Sequence, residues 1–121
     1  MSKTALVVDD SLSIRKLVSR TLEKIGFAVR EASNGKEGLE QLGSGPVSLV
    51  ITDLNMPVMD GIEFIRSMRE VPDHKFTPVV FLTTEIDEAR KTEARAAGAT
   101  AWIVKPFHPD KVLTVVQKIV A

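Results

Sequence analysis

Short apolar runs rich in β-branched residues recur five times along the chain, at residues 5–8, 27–31, 49–52, 79–83 and 101–104. Runs of this length, bounded by polar or turn-forming residues, predict β-strands. The run at 79–82 is apolar at every position, which is typical of a strand that is covered on both faces of its sheet. The pattern therefore predicts five largely buried strands.

Between these runs, apolar residues recur every three or four positions, as they do on one face of an α-helix. The predicted apolar faces are, in chain order, Ile14, Leu17, Val18, Thr21, Leu22 and Ile25; Leu39 and Leu42; Ile62, Ile65 and Met68; Ile86, Ala89, Ala96 and Ala97; and Val112, Val116 and Ile119. Gly26 is placed to end the first helix, an Asn34-Gly35 turn precedes the second, and Asp60 is placed to cap the third. The fourth face is the weakest because it consists mostly of alanines.

Strands and helices alternate through the whole chain, which favours βαβ units and a parallel sheet. A chain of 121 residues fits one domain, and right-handed crossovers leave few topologies. We expect a single α/β domain over residues 1–121, a doubly wound, flavodoxin-like (βα)5 fold with helices on both faces of a five-stranded parallel sheet. The expected strand order of 2-1-3-4-5 is taken from known sheets of this kind and does not follow from the pattern itself.

Composition narrows the classes of function. Sixteen basic residues balance sixteen acidic ones, so nothing indicates nucleic acid or a membrane surface as a partner. The chain contains no cysteine, which excludes disulfides, thiol catalysis and thiolate metal sites within it. No stretch approaches the ~20 apolar residues of a membrane span, and the first apolar run is too short for a signal peptide. We therefore expect a cytoplasmic protein.

Polar residues that can carry chemistry follow four of the predicted strands. They are Asp9 and Asp10 after the first strand, Asp53 after the third, Thr83 and Thr84 at the end of the fourth, and Lys105 after the fifth. The carboxyl ends of parallel strands share one edge of the sheet, where open α/β sheets bind their ligands. With the first and third strands adjacent, three carboxylates are expected to converge on one pocket.

Converging carboxylates repel one another, so protonation or a cation has to relieve the repulsion. Carboxylate oxygens suit Mg²⁺, which takes one or two of them and keeps several waters for a phosphoryl group. A carboxylate can also act as a nucleophile and form an aspartyl phosphate. The charge of the transferred group then needs a metal, a cation such as Lys105 and a hydroxyl such as that of Thr83.

Each of these residues also has an ordinary structural explanation. An aspartate pair after a strand is more often part of a turn, a threonine there is a good strand former, and a single lysine in a loop is usually solvated. Asp53 carries more weight because it ends a buried apolar run, where a charge needs a partner. The spacing of the four positions taken together favours a functional site.

The chain resembles the receiver domain of two-component response regulators over essentially its whole length. The segments that carry the resemblance are 7–11, 51–61, 82–85 and 104–107. The segment 51–61 is highly specific for this family, whereas each of the other three alone is weak evidence for it. The resemblance implies that Asp53 accepts a phosphoryl group from the phosphohistidine of a histidine kinase.

The resemblance also implies a metal site at the same edge of the sheet. Asp10, Asp53 and the backbone carbonyl of Asn55 would hold Mg²⁺, and Asp9 would assist through a water molecule. Asn55 and Glu85 flank the phosphoryl position, where relatives tune the lifetime of the aspartyl phosphate.

The remaining expected roles concern the switch that follows phosphorylation. Thr83 would donate a hydrogen bond to the phosphoryl group, Lys105 would pair with it, and a cis peptide between Lys105 and Pro106 would aim the lysine. Trp102 takes the position of an aromatic residue that changes rotamer and remodels the surface of the fourth helix, fifth strand and fifth helix. Its alternative explanation is a partly buried packing tryptophan. Thr84 is bulkier than the alanine or glycine often found there and is expected to restrict access to the site.

The segments 82–85 and 102–107 resemble most the chemotaxis (CheY-like) branch, which implies a chemotaxis histidine kinase, a phosphatase and the flagellar motor switch as partners. A phosphorelay shuttle is an alternative. A haloacid-dehalogenase-type phosphatase is a third, less favoured because its nucleophile follows the first strand and its general acid would stand where Asn55 is. We expect a switch that hydrolyses only its own phosphoryl group and turns over no external substrate.

Other sequence features are set aside as structural. His74 and His108 are isolated and lack the spacing of metal ligands, so both are expected on the surface. The glycines form neither a dinucleotide-binding fingerprint nor a P-loop.

Overall fold

The predicted strands pair into one parallel sheet, and the helices pack on its two faces. The computed structural model describes residues 3–84 and 87–120. Within these ranges the elements are β1 Lys3–Val8, α1 Leu12–Glu23, β2 Phe27–Ala32, α2 Gly35–Leu42, β3 Leu49–Asp53, α3 Gly61–Arg69, β4 Val79–Thr83, α4 Glu88–Ala97, β5 Ala101–Val104 and α5 Pro109–Val120. The expected doubly wound (βα)5 architecture is therefore confirmed.

The strand order is β2-β1-β3-β4-β5, as expected for a flavodoxin-like sheet. Val8, the last residue of β1, lies level with Thr52 of β3. Asp53 at the end of β3 lies level with Leu82 of β4. The residues that follow β1 and β3 are therefore neighbours at the carboxyl edge, on the two sides of the point where the strand order reverses.

Side chains of each strand alternate between two hydrophobic cores. Ala5 and Val7 of β1 pack in the core that contains α1 and α5, whereas Leu6 and Val8 pack in the core that contains α2, α3 and α4. All four are fully buried. Because both faces of the sheet are covered, the strands need apolar residues at successive positions, which explains the continuous runs in the sequence.

Two of the predicted helix starts and one helix stop have the expected local chemistry. The side chain of Asp60 accepts a hydrogen bond from the backbone N–H three residues on, at 2.9 Å, and thereby caps α3. Asn34 caps α2 in the same way, also at 2.9 Å. Gly26 follows the end of α1 with φ +98°, a left-handed conformation that glycine adopts without a steric penalty.

The prediction for the fourth helix is right about its existence and partly wrong about its buried face. Ala97 is buried as expected, but Ala94 is the other buried residue of α4, and both Ala89 and Ala96 are exposed. Ile86 lies outside the described residues. Since alanines occur on both the buried and the exposed side of this helix, their spacing alone does not identify the side that faces the sheet.

The prediction that His74 lies on the surface is wrong. Its exposed fraction is 1%, because a 3-10 turn at Pro72–His74 folds the imidazole under the loop before β3. The backbone N–H of Val47 donates to His74 Nε2 at 3.1 Å, and Nδ1 is buried without a partner among the described residues. His108 is exposed, as expected.

We predict that His74 makes the protein less stable on mild acidification. Burial lowers the pKa of His74, so below about pH 6.5 the unfolded chain binds a proton that the folded protein resists. The free energy of unfolding should therefore fall as the pH drops through that value, with a slope of at most about 1.4 kcal/mol per pH unit. Denaturant unfolding at pH 7.5 and 5.5 measures the loss.

The matched variants for this test are His74→Gln and His108→Gln. The first should reduce the stability lost between the two pH values, and the second, at the exposed histidine, should leave that loss as in the wild type. An equal loss in all three proteins would contradict the role of His74.

A second prediction concerns the close approach of α3 to the end of β3. The N–H of Gly61 donates to the carbonyl of Leu54 at 2.8 Å, and a Cβ at Gly61 would clash with the Asp53 carbonyl oxygen and lie 2.7 Å from the Phe81 ring. Gly61→Ala should lower the free energy of unfolding by about 1–3 kcal/mol through overpacking, measured by chemical denaturation.

Gly43→Ala is the control for this substitution. Its Cβ would meet only the Glu40 carbonyl, at 3.2 Å, and its φ of −66° suits any residue. This variant should stay within about 1 kcal/mol of the wild type, the range of glycine-to-alanine changes at compatible positions. Similar losses in both variants would argue against the proposed clash.

Candidate functional site

The residues predicted from the ends of the strands meet at one edge of the sheet. Asp9 follows β1, Asp53 ends β3, and Lys105 follows β5. The carboxylates of Asp9, Asp10 and Asp53 each offer an oxygen within 4.8 Å of the other two. The expected convergence of three carboxylates is therefore present in the structure.

Asp9 is the buried anchor of this cluster. Its Oδ1 accepts a hydrogen bond from the N–H of Ser11 at 2.8 Å, and its Oδ2 accepts one from Lys105 Nζ at 2.8 Å. The residue has no exposed surface. Both oxygens thus have protein partners, whereas the neighbouring Asp10 is exposed and more accessible to a ligand from solvent.

Asp53 is also buried, but the negative charge of its carboxylate is less completely balanced than that of Asp9. Its Oδ1 accepts the N–H of Leu54 at 2.8 Å, and its Oδ2 lies 3.3 Å from Lys105 Nζ. Burial raises the pKa of Asp53, and the charge of Asp9 raises it further, which outweighs the opposing effect of Lys105. The ionised carboxylate is therefore held at a cost in free energy, which an added cation would reduce.

Lys105 is the cation that pairs with both buried carboxylates. Burial acts to lower its pKa, but its hydrogen bond with Asp9 and the charges of Asp53 and Asp9 outweigh burial, so the pKa of Lys105 is raised. The lysine stays protonated near neutral pH. With one lysine and three carboxylates, the cluster carries about two net negative charges, a charge that a divalent cation balances.

The ends of β4 and β5 position the rest of the predicted site. Lys105 donates its N–H to the Thr83 carbonyl at 2.9 Å, and the Lys105–Pro106 peptide is cis, as predicted. Thr83 is fully buried and Thr84 is exposed. Glu85, predicted to flank the phosphoryl position, lies outside the described residues.

Trp102 lies on β5 in register with Phe81 of β4. The two ring centroids are 5.8 Å apart, and the indole is half-buried against the core that contains α3 and α4. The packing role considered for Trp102 is therefore observed, while its role as a switch stays a prediction. Asn55 is exposed at the start of the loop after β3, and coordination of a metal by its carbonyl also stays a prediction.

Two residues of this edge were not found from the sequence. The Arg15 guanidinium donates to the Asp9 carbonyl at 2.9 Å and to Glu31 at 3.1 Å, which fixes the turn carrying Asp9. Val58 has φ +72° at the centre of a tight turn. Arg15 is a cation in the first turn of α1, close behind the acidic pair in the sequence, which could have indicated the contact, whereas nothing in the sequence indicates a left-handed valine.

No helix within residues 3–84 and 87–120 is long and apolar enough to cross a membrane.

Residues 5–117 match the family described as the response regulator receiver domain. The chemotaxis response regulator CheY4 of Vibrio cholerae is 42% identical with a TM-score of 0.93, and the match covers 99% of this chain and 100% of that one. A response regulator protein from Burkholderia multivorans is 38% identical with a TM-score of 0.81, over 100% of this chain and 97% of the other.

Among curated sequences, the transcriptional regulatory protein SrrA of Staphylococcus aureus is 40% identical over 113 residues. That match covers 93% of this chain and 46% of SrrA, so the chain spans about half the length of the curated relatives it matches. The family match over most of the chain agrees with the acidic edge, the partly buried lysine and the strand order. The chain belongs to the response regulator receiver domain family of two-component signalling.

Proposed function

We propose that the protein is a Mg²⁺-dependent phospho-acceptor switch in which Asp53 receives a phosphoryl group from a histidine kinase. The observation that carries the proposal is the position of Asp53. Its carboxylate lies at the carboxyl edge of the sheet, within 4.8 Å of the other two acidic side chains and 3.3 Å from a protonated lysine. This arrangement holds a nucleophile next to groups that stabilise phosphoryl charge.

The transfer itself is a displacement at phosphorus. A carboxylate oxygen of Asp53 forms the new P–O bond, the P–N bond of the donor phosphohistidine breaks, and the imidazole leaves with the electron pair of that bond. Lys105 pairs with the transferred group, and the Thr83 hydroxyl donates to one of its oxygens. Hydrolysis of the aspartyl phosphate by water then returns inorganic phosphate and the free carboxylate.

The acidic cluster suits Mg²⁺ by charge and by donor type. We assign Asp10, Asp53 and the Asn55 carbonyl as its ligands, with Asp9 assisting through water because both Asp9 oxygens already have protein partners. When bound, Mg²⁺ neutralises charge that builds up on the phosphoryl oxygens. Asn55, Thr84 and Glu85 are proposed to tune the lifetime of the aspartyl phosphate.

We further propose that the switch acts in the cytoplasm through protein contacts in chemotaxis. The support is the similarity to CheY4 of Vibrio cholerae over nearly the whole of both chains. A chemotaxis histidine kinase, a phosphatase and the flagellar motor switch would be its partners, and Trp102 would carry the change to the surface around β5. The similarity to SrrA supports a second candidate, a receiver that controls transcription, and a phosphorelay shuttle stays a further alternative.

The phosphatase alternative is less well supported by the geometry. The haloacid-dehalogenase class places its nucleophile after the first strand of the sheet, whereas Asp53 ends β3. We therefore propose that the protein turns over no external substrate and hydrolyses only its own phosphoryl group.

The central prediction is covalent phosphorylation of Asp53. Incubation with acetyl phosphate and Mg²⁺ should add one phosphoryl group per chain, detected by intact mass, and chelation of the metal should prevent the addition. Asp53→Asn should abolish the addition, whereas Asp110→Asn, at an exposed aspartate outside the cluster, should retain it. Incorporation at the wild-type level in Asp53→Asn would overturn the proposal.

A second prediction uses the cost of keeping Asp53 ionised. Because burial raises the pKa of Asp53, Asp53→Asn should raise the melting temperature in the absence of metal, since the amide oxygen still accepts the Leu54 N–H. Mg²⁺ should raise the melting temperature of the wild type more than that of the variant. Circular dichroism melts with and without Mg²⁺ measure both effects, and a lower melting temperature for metal-free Asp53→Asn would contradict the charge argument.

A further inference from the structure

Helix α4 is joined to the domain by few apolar contacts. Its buried residues are Ala94 and Ala97, the smallest side chains that can fill a helix–sheet contact. Polar contacts supply the rest of the described attachment. Arg90 lies 3.5 Å from Asp60, and the Lys91 ammonium lies 5.7 Å from the centre of the Trp102 ring on β5. An element held in this way opens and shifts more easily than one with a large buried face.

The arrangement of the Trp102 indole costs free energy because it buries a polar group. Its Nε1 is buried and has no hydrogen-bond partner among the described residues. A buried donor without a partner costs free energy relative to an arrangement in which water or a protein oxygen accepts from it. The packing of the ring against Phe81 and the cation above it act in the opposite direction.

A cleft beside the indole provides room for a second arrangement. It has a volume of about 270 Å³ and is lined by Arg95, Ala99, Thr100, Ala101 and Trp102 itself. The ring lies between α4 and the edge strand of the sheet. The ring therefore has open space on one side, into which a second rotamer could turn.

From these observations we propose that Lys91 is a positioning residue for Trp102, whose cation–π contact holds the indole in its present arrangement and so sets the free energy of the switch. The inference rests on the proposed function, since it assigns a regulator to the same site. We assign this arrangement, in which Lys105 pairs directly with the Asp53 carboxylate at 3.3 Å, to the resting state of the proposed switch. Lys91 therefore opposes activation.

The size of the effect follows from the strength of such contacts. A cation–π contact at a partly exposed site stabilises its arrangement enough to change an equilibrium constant by about two- to fivefold. Removing it destabilises the resting arrangement and leaves the phosphorylated one unaffected. The activated state should then form about two- to fivefold more readily.

Three substitutions distinguish the effect of the Lys91 charge from the effects of its side-chain length and of its ion pair with Glu88. Lys91→Met removes the charge and keeps the length and helix propensity of the side chain. Lys91→Arg keeps a cation over the ring. Glu88→Gln removes the 3.9 Å ion pair between Glu88 and Lys91 and leaves the lysine over the indole, so it controls for loss of that pair.

The first measurement needs no phosphoryl group. Trp102 is the only tryptophan, so acrylamide quenching of its fluorescence reports its accessibility in the unmodified protein. Lys91→Met should increase the quenching constant, whereas Lys91→Arg and Glu88→Gln should match the wild type. Identical quenching in Lys91→Met and the wild type would overturn the inference.

The second measurement follows Trp102 fluorescence during titration with beryllofluoride at fixed Mg²⁺. The midpoint for Lys91→Met should be about two- to fivefold lower than that for the wild type, with the two control variants unchanged. A wild-type response that Asp53→Asn loses, combined with an unshifted midpoint in Lys91→Met, would overturn the role of Lys91 alone. A protein that takes up no phosphoryl group at Asp53 would overturn the proposed function, and the quenching experiment would still decide whether Lys91 holds the indole.

Discussion

The partly buried ion pair between Asp9 and Lys105 is the interaction on which the rest of the site depends. The two side chains are 2.8 Å apart although the residues are separated by 96 positions in the sequence, and two strands lie between β1 and β5 in the sheet. The pair therefore forms only when the whole carboxyl edge from β1 to β5 has been assembled. Since Asp9 is fully buried, loss of its partner would leave an uncompensated charge, which in proteins costs about 3–5 kcal/mol. Formation of the site is thus coupled to formation of the fold.

This pair also leaves the edge with unbalanced negative charge. Lys105 is 2.8 Å from Asp9 but 3.3 Å from Asp53, so it offsets only part of the rise in the pKa of Asp53 that burial and the charge of Asp9 cause. A second protein cation would balance the charge of Asp53 and stabilise the fold, but it would also occupy the space that the proposed metal and phosphoryl group would need. The site accordingly keeps unbalanced negative charge, a cost in stability that functional sites commonly carry.

The sequence predicts those parts of the structure that depend on burial from both faces of a sheet or on the ends of strands. The apolar runs identify all five strands, and Asp53 is recognised because a charge ends one of them. The order of the strands in the sheet is not predicted in this way, because the same alternation of strands and helices fits more than one parallel arrangement. The burial of Ala94 in α4 and the burial of His74 were missed for a common reason. Both depend on contacts between distant segments, such as the hydrogen bond from Val47 to the imidazole of His74. Such contacts cannot be predicted from local periodicity.

The polar contacts of α4 suggest how a change of charge at Asp53 can reach the surface. Two adjacent residues of the helix contact different elements: Arg90 pairs with Asp60 on the loop that follows Asp53, and Lys91 covers Trp102 on the strand that leads to Lys105. The two contacts are not equivalent, because Arg90 also pairs with Glu93 at 3.0 Å and keeps that partner if Asp60 moves. The described ion pair of the Lys91 side chain is a 3.9 Å contact with a largely exposed glutamate, which water and salt screen strongly. In the proposed switch, a movement of the indole would therefore change the environment of Lys91 more than a movement of the loop would change that of Arg90, so β5 would be the better-coupled route from the acidic edge to α4.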